Sequence, residues 1–152
     1  MHMQLSKEKI MPNAFRSIGL IARATAAMGN QLFQANDLSN NQFIFLMRII
    51  ETPGITQAEL ATQLHVDPST CLRAVRKLIA TQYVTRGIDA HDKKRRPLLA
   101  TTKGQAMYPA LEDYEQQILS VGTQGLSTGE TALLEELLAK VARNVRDYQN
   151  QH

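Results

Sequence analysis

The residues of this sequence best equipped for chemistry are cations, and they are unevenly placed. The chain of 152 residues carries 17 lysines and arginines against 14 acidic residues, a net charge of +3. Eight of the basic residues (Arg73, Arg76, Lys77, Arg86, Lys93, Lys94, Arg95 and Arg96) fall in one stretch of 24, opposed there only by Asp89 and Asp92. That stretch holds +6 and the rest of the chain −3. A local positive field on a mildly acidic body suits an anionic partner for one segment. On charge alone two readings stay open: a nucleic-acid surface, and a basic loop that keeps the protein soluble.

Other chemistries find little material. His2, His65, His91 and His152 show no paired ligand spacing, and no Cys-His cluster exists. No phosphate-cradling glycine loop, nucleophile motif or convergent set of histidines and carboxylates occurs, so neither an enzyme nor a cofactor is expected. The single cysteine, Cys71, cannot form an internal disulfide, which suits a reducing cytoplasm. No run approaches the roughly 18–20 apolar residues of a membrane span, and no apolar block with a cleavage site opens the chain. A cytoplasmic protein without a membrane partner is the expectation.

The elements that must position the cations announce their own starts. Ser39-Asn40-Asn41-Gln42, Thr56-Gln57-Ala58-Glu59 and Ser127-Thr128-Gly129-Glu130 fit a capping box, in which a hydroxyl and a side chain three residues on satisfy orphaned backbone donors. Leu38 with Phe43, and Ile55 with Leu60, stand at the apolar staple positions. Asp67-Pro68 is another start, a carboxylate followed by proline at the first helical position, with Val66 and Cys71 as its staple pair. Thr101 caps a further helix. These signals divide the chain into six helices, near 6–34, 40–51, 57–64, 68–81, 102–121 and 128–149.

Between the fourth and fifth helices the apolar period falls from 3.6 to 2. Tyr83–Ile88 alternates Val84 and Ile88 against Arg86, and Pro97–Ala100 resembles a short return strand with proline tolerated at its start. The charged segment 89–96 joins them into a hairpin with a long loop. The expected fold is therefore mainly α with a small β-hairpin, in which 57–64 and 68–81 form a helix-turn-helix and the hairpin a wing.

Helix 68–81 has two chemically distinct faces. At about 100° per residue, Ser69, Thr70, Arg73, Arg76 and Lys77 fall on one side, and Cys71, Val75 and Leu78 on the reverse, with Leu72 on the boundary. A hydroxylic, cationic helix suits the major groove of DNA, where arginine contacts guanine edges. Cys71 belongs to the buried face and reads as a small hydrophobe rather than a redox sensor. The run Lys93-Lys94-Arg95-Arg96 at a loop tip repels itself, and a narrow minor groove removes that repulsion. Asp92 is placed to pair with one of these cations and brace the wing.

In this order and spacing the residues resemble the MarR family of winged-helix transcription regulators. The matching text is Leu38–Phe43, Gly54–Ala61, Asp67–Thr70 with Arg73, Tyr83–Arg86, Asp92–Lys94 and Thr101–Gly104. The resemblance implies a winged helix-turn-helix over 37–101, flanked by N- and C-terminal dimerisation helices in 1–36 and 102–152. It implies a homodimer on double-stranded DNA, usually a repressor on a near-palindromic operator, released by a small aromatic or anionic effector. By this likeness Ser69, Thr70, Leu72, Arg73, Arg76 and Lys77 face the major groove. Thr56 and Gln57 touch phosphate, and Arg86 and Lys93–Arg96 serve the wing. Arg16, Arg23 and Arg48 are the candidates for an effector carboxylate. The chain departs from the family pattern at Lys94, where arginine is usual, which makes the adjacent Arg95 a candidate for minor-groove insertion. It departs again at Leu72, usually Ser or Thr, and at Ala100, usually leucine. The alternative reading is a winged-helix module whose basic wing binds an acidic protein.

Overall fold

The computed structural model describes residues 13–152. The start expected near Ser6 therefore lies outside the described residues, as does His2. Helix α1 (Ala14–Leu32) opens at Asn13, whose side chain accepts from the Phe15 amide, and ends in a short 3₁₀ turn (Gln34–Asn36). Then follow α2 (Gln42–Glu51), α3 (Gln57–Leu64), α4 (Pro68–Ala80), β1 (Val84–Arg86), β2 (Leu98–Ala100), α5 (Thr102–Ala106), α6 (Tyr108–Gly122) and α7 (Thr128–Gln151). No helix of the described residues is long and apolar enough to cross a membrane.

Helix α2 forms the centre of the first compact unit, which ends at Glu112. It is buried along most of its length and touches α3, α4, α5 and β2. Leu38, Leu46, Ile49, Leu60, Val75, Leu78, Leu98 and Leu111 are among the side chains removed from solvent. At about 25 cal/mol per Å² of apolar surface, such burial is the dominant favourable term holding the unit together. Where α1 meets α2, Gly29 lies against the Phe43 ring, leaving no room for a Cβ, and Phe33 stacks on Phe43 with centroids 5.3 Å apart. The strands pair antiparallel with Val84 opposite Ala100 and Arg86 opposite Leu98. Leu98 also exchanges backbone hydrogen bonds with the turn before α3: its amide donates to Ile55 and its carbonyl accepts from Gly54.

The second unit, Asp113–His152, is built differently. Ser127 and Glu130 form the expected capping box at the start of α7, yet none of the residues in that helix is buried. Leu134, Leu137, Leu138, Val145 and Tyr148 are exposed and share a stripe about 100° wide. Helix α1 likewise exposes Ile21, Met28 and Leu32 along one line.

Two local expectations are corrected. Ser39 caps nothing: α2 begins at Gln42 after two left-handed residues, Asn40 (φ 56°) and Asn41 (φ 65°). The Asn41 amide donates to the Asn30 side chain on α1 at 2.7 Å, and the two Asn side chains bond at 3.1 Å. This tertiary pairing displaces the local capping box. The helix expected over 102–121 breaks at Met107, because Pro109 has no N–H to offer the Gln105 carbonyl.

Candidate nucleic-acid interface

Burial sets the orientation of α4. Cys71, Ala74, Val75 and Leu78 are buried, while Ser69, Arg73, Arg76 and Lys77 are exposed and Thr70 and Leu72 half-buried. Burial also pushes the Cys71 thiol above its ordinary value of 9.0, and its Sγ donates to the Gln57 carbonyl at 3.4 Å. The thiol is therefore held neutral against α3. Lys77 reaches back to Asp37 at 3.3 Å, with both side chains at least half exposed. Among the described residues Arg73 makes only a long contact to Thr70, at 3.5 Å. Arg76 has no polar side-chain partner among the described residues.

A cleft lies on each side of this surface. One, of about 510 Å³, runs between α4 and the start of α2 and is lined by Arg73, Lys77, Thr70, Ser39, Asn40 and Asn41 among others. Gln42 also lines it, with a buried Oε1 that has no hydrogen-bond partner. The other, of about 550 Å³, lies between the start of α3 and the wing, lined by Thr56, Gln57, Ala58, Arg86, Lys94, Arg95 and Arg96. Thr56 caps α3 by accepting from the Glu59 amide at 3.2 Å. The first amides of any α-helix lack intrahelical acceptors and favour an anion, and here cations surround them. Arg86 donates to Gln57 Oε1 at 2.9 Å, which fixes both side chains at the lip of this cleft.

The wing loop is shaped by carboxylates. Asp89 Oδ1 accepts from the His91 and Asp92 amides at 2.8 and 3.3 Å. Asp92 braces the loop through the Lys94 amide at 3.0 Å, so the expectation that it pairs with a cation is corrected. That pairing falls to other residues. Arg95 Nη1 donates to Glu59 at 2.6 Å, Nη2 to the Gly54 carbonyl at 3.1 Å, and Nε lies 3.5 Å from Asp89. Arg95 first, then Thr56, holds the Glu59 carboxyl below its ordinary 4.5. Arg95 is thus engaged by its own protein, while Lys93, Lys94 and Arg96 stay exposed. Sequence reasoning also missed Asp37, Asn40 and Asn41 beside α4. The Asn-Asn pair was a turn signal that the apparent capping box hid.

The three arginines considered for an effector line neither cleft. Arg16 and Arg23 are exposed on α1, and Arg48 pairs with Glu51 at 3.2 Å.

A helix pair with a cationic second helix, followed by a hairpin that pairs with the turn before the first, defines a winged helix-turn-helix. The sequence model described as MarR family matches residues 36–95. The chain is 35% identical over 140 residues to the uncharacterized HTH-type transcriptional regulator YybA of Bacillus subtilis, covering 91% of this chain and 93% of that one. It belongs to the MarR family of transcriptional regulators. Among solved structures, the transcriptional regulator SlyA superposes with a TM-score of 0.86 at 34% identity, over 91% of this chain and 98% of that one. A MarR-family regulator from Listeria monocytogenes, solved in complex with 26mer DNA, gives 0.86 at 34% identity over 90% and 91%.

Proposed function

We propose that this protein is a homodimeric, sequence-specific DNA-binding repressor that recognises a near-palindromic operator and is released by a small aromatic or anionic ligand. The observation that carries the reading is the exposed cationic face of α4 with a cation-lined cleft on either side. Ser69, Thr70, Leu72, Arg73, Arg76 and Lys77 face the major groove. Thr56, Gln57 and Arg86 receive a phosphate at the start of α3, and Lys93, Lys94 and Arg96 serve the minor groove. The Listeria relative, solved in complex with 26mer DNA, supports DNA as the partner. The exposed apolar stripe of α1 and that of α7 each support the dimer, since an uncovered apolar helix face calls for a partner and a second copy offers the same face. For the ligand, Arg16 and Arg23 are the available carboxylate partners, with Arg48 held by Glu51.

Fluorescence anisotropy on random duplex DNA across a salt series tests the reading. With Lys77 and Arg95 partly committed internally, and half of the remaining cations on phosphate, log K falls against log salt with a slope of about −5 for the dimer. A slope near zero, with tight binding to an acidic polypeptide instead, contradicts the reading and supports a protein partner.

A further inference from the structure

Within the run Lys93–Arg96, three residues are exposed and one is not: Arg95 is half-buried. Its donors reach three separate pieces of chain, namely Glu59 on α3, the Gly54 carbonyl in the turn before α3, and Asp89 within the loop. Among the described residues, no other side chain of the loop 88–96 makes a polar tie to the helical body. The strands that carry the loop are only three residues each, so they fix its base and not its tip. Guanidinium can serve such divergent acceptors at once because its donors lie in a fixed planar fork, which an ammonium lacks. Glu59 and Asp89 stand beside a surface that must attract phosphate, where a carboxylate is unfavourable unless it has another task. Their contact with Arg95 supplies one.

We propose that Arg95 is a positioning residue: it clamps the wing to α3 through Glu59 and Gly54 so that Lys94 and Arg96 face the cleft, and does not itself contact DNA. This deepens the DNA-binding reading above and rests on it.

The test exploits a sign. Removing a carboxylate near DNA strengthens binding if charge alone matters. Under the clamp, Glu59→Gln weakens binding about three- to tenfold. Arg95→Ala, which also loses the ties to Gly54 and Asp89, weakens it at least as much, and the double variant binds no worse than Arg95→Ala alone. Arg95→Lys, which keeps the charge and loses the fork, behaves like Arg95→Ala. Without the clamp Lys94 and Arg96 still reach the DNA but are ordered only on binding, so the salt slope stays at the wild-type value in all of them, whereas loss of a direct contact from both protomers lowers it by about 2. Thermal unfolding followed by circular dichroism verifies that each variant is folded. A Glu59→Gln protein that binds as tightly as wild type or tighter, or a reduced slope in Arg95→Ala, overturns the proposal. Limited trypsin digestion supplies a readout independent of DNA, with faster cleavage within 93–96 expected in Glu59→Gln. If wild type shows no salt-dependent DNA binding while this cleavage still accelerates, the DNA reading fails and the clamp survives as a structural tie. Unchanged cleavage removes the clamp itself.

Discussion

Helix α4 turns Arg73, Arg76 and Lys77 outward because Cys71, Ala74, Val75 and Leu78 are buried behind them. The wing presents Lys94 and Arg96 with almost nothing buried in its loop, relying on Asp89, Asp92 and the Arg95–Glu59 contact. The first arrangement is held by apolar area, which salt hardly touches. The second is held by exposed charge, which salt screens and which contributes at most about 1 kcal/mol per pair. On the proposed DNA-binding reading, one interface combines a helix fixed by its buried face with a lightly tethered arm. Its two parts respond differently to the same perturbation.

The largest effect comes from breaking the rigid side. Leu78→Ala removes a fully buried side chain from the back of α4 and is expected to cost about 2–5 kcal/mol of stability, read from urea unfolding curves. Arg73→Ala is expected to leave stability unchanged. It weakens binding to a selected operator by about 1–3 kcal/mol, and binding to random DNA by much less. An equal loss on both substrates would mean that Arg73 meets phosphate rather than a base.

Cys71 reports on the buried face alone. Its folded-state thiol titrates above the ordinary 9.0, so the native protein holds this proton more tightly than the unfolded chain. Stability is therefore unaffected below that value and falls as pH rises from it through the folded value. Unfolding at neutral and alkaline pH, compared with Cys71→Ala, isolates this loss. An alkaline decline of the same size in the alanine variant would assign it to other groups.

The smallest effect sharpens the contrast. Asp37→Asn frees Lys77 from an exposed pair and is expected to tighten DNA binding by about threefold or less, as charge alone dictates. The same change of charge at Glu59 acts in the opposite direction. If both substitutions tighten binding, the wing is no more tethered than α4.

The parts of this molecule legible in its sequence are those decided within a few residues. Thr56, Thr101 and Ser127 each accept from the amide three residues on, because a cap needs only its own helix. The two faces of α4 and the hairpin follow from periodicity in the same way. Ser39 failed as a cap because Asn41 found Asn30, eleven residues away on another helix. Asp92 lay next to the cations in sequence, yet Arg95 found Glu59, thirty-six residues distant. Neither partner could be chosen by spacing. The apolar stripe of α7 was legible as helical, but one chain alone leaves it uncovered.

Selection of bound sequences from a random DNA pool, followed by footprinting of the winners, tests the central claim most directly. Two α4 helices carried by a symmetric dimer predict an inverted repeat with half-site centres about 10 base pairs apart, protected on both strands. Failure to enrich any sequence, or enrichment of a single unrepeated site, would contradict it.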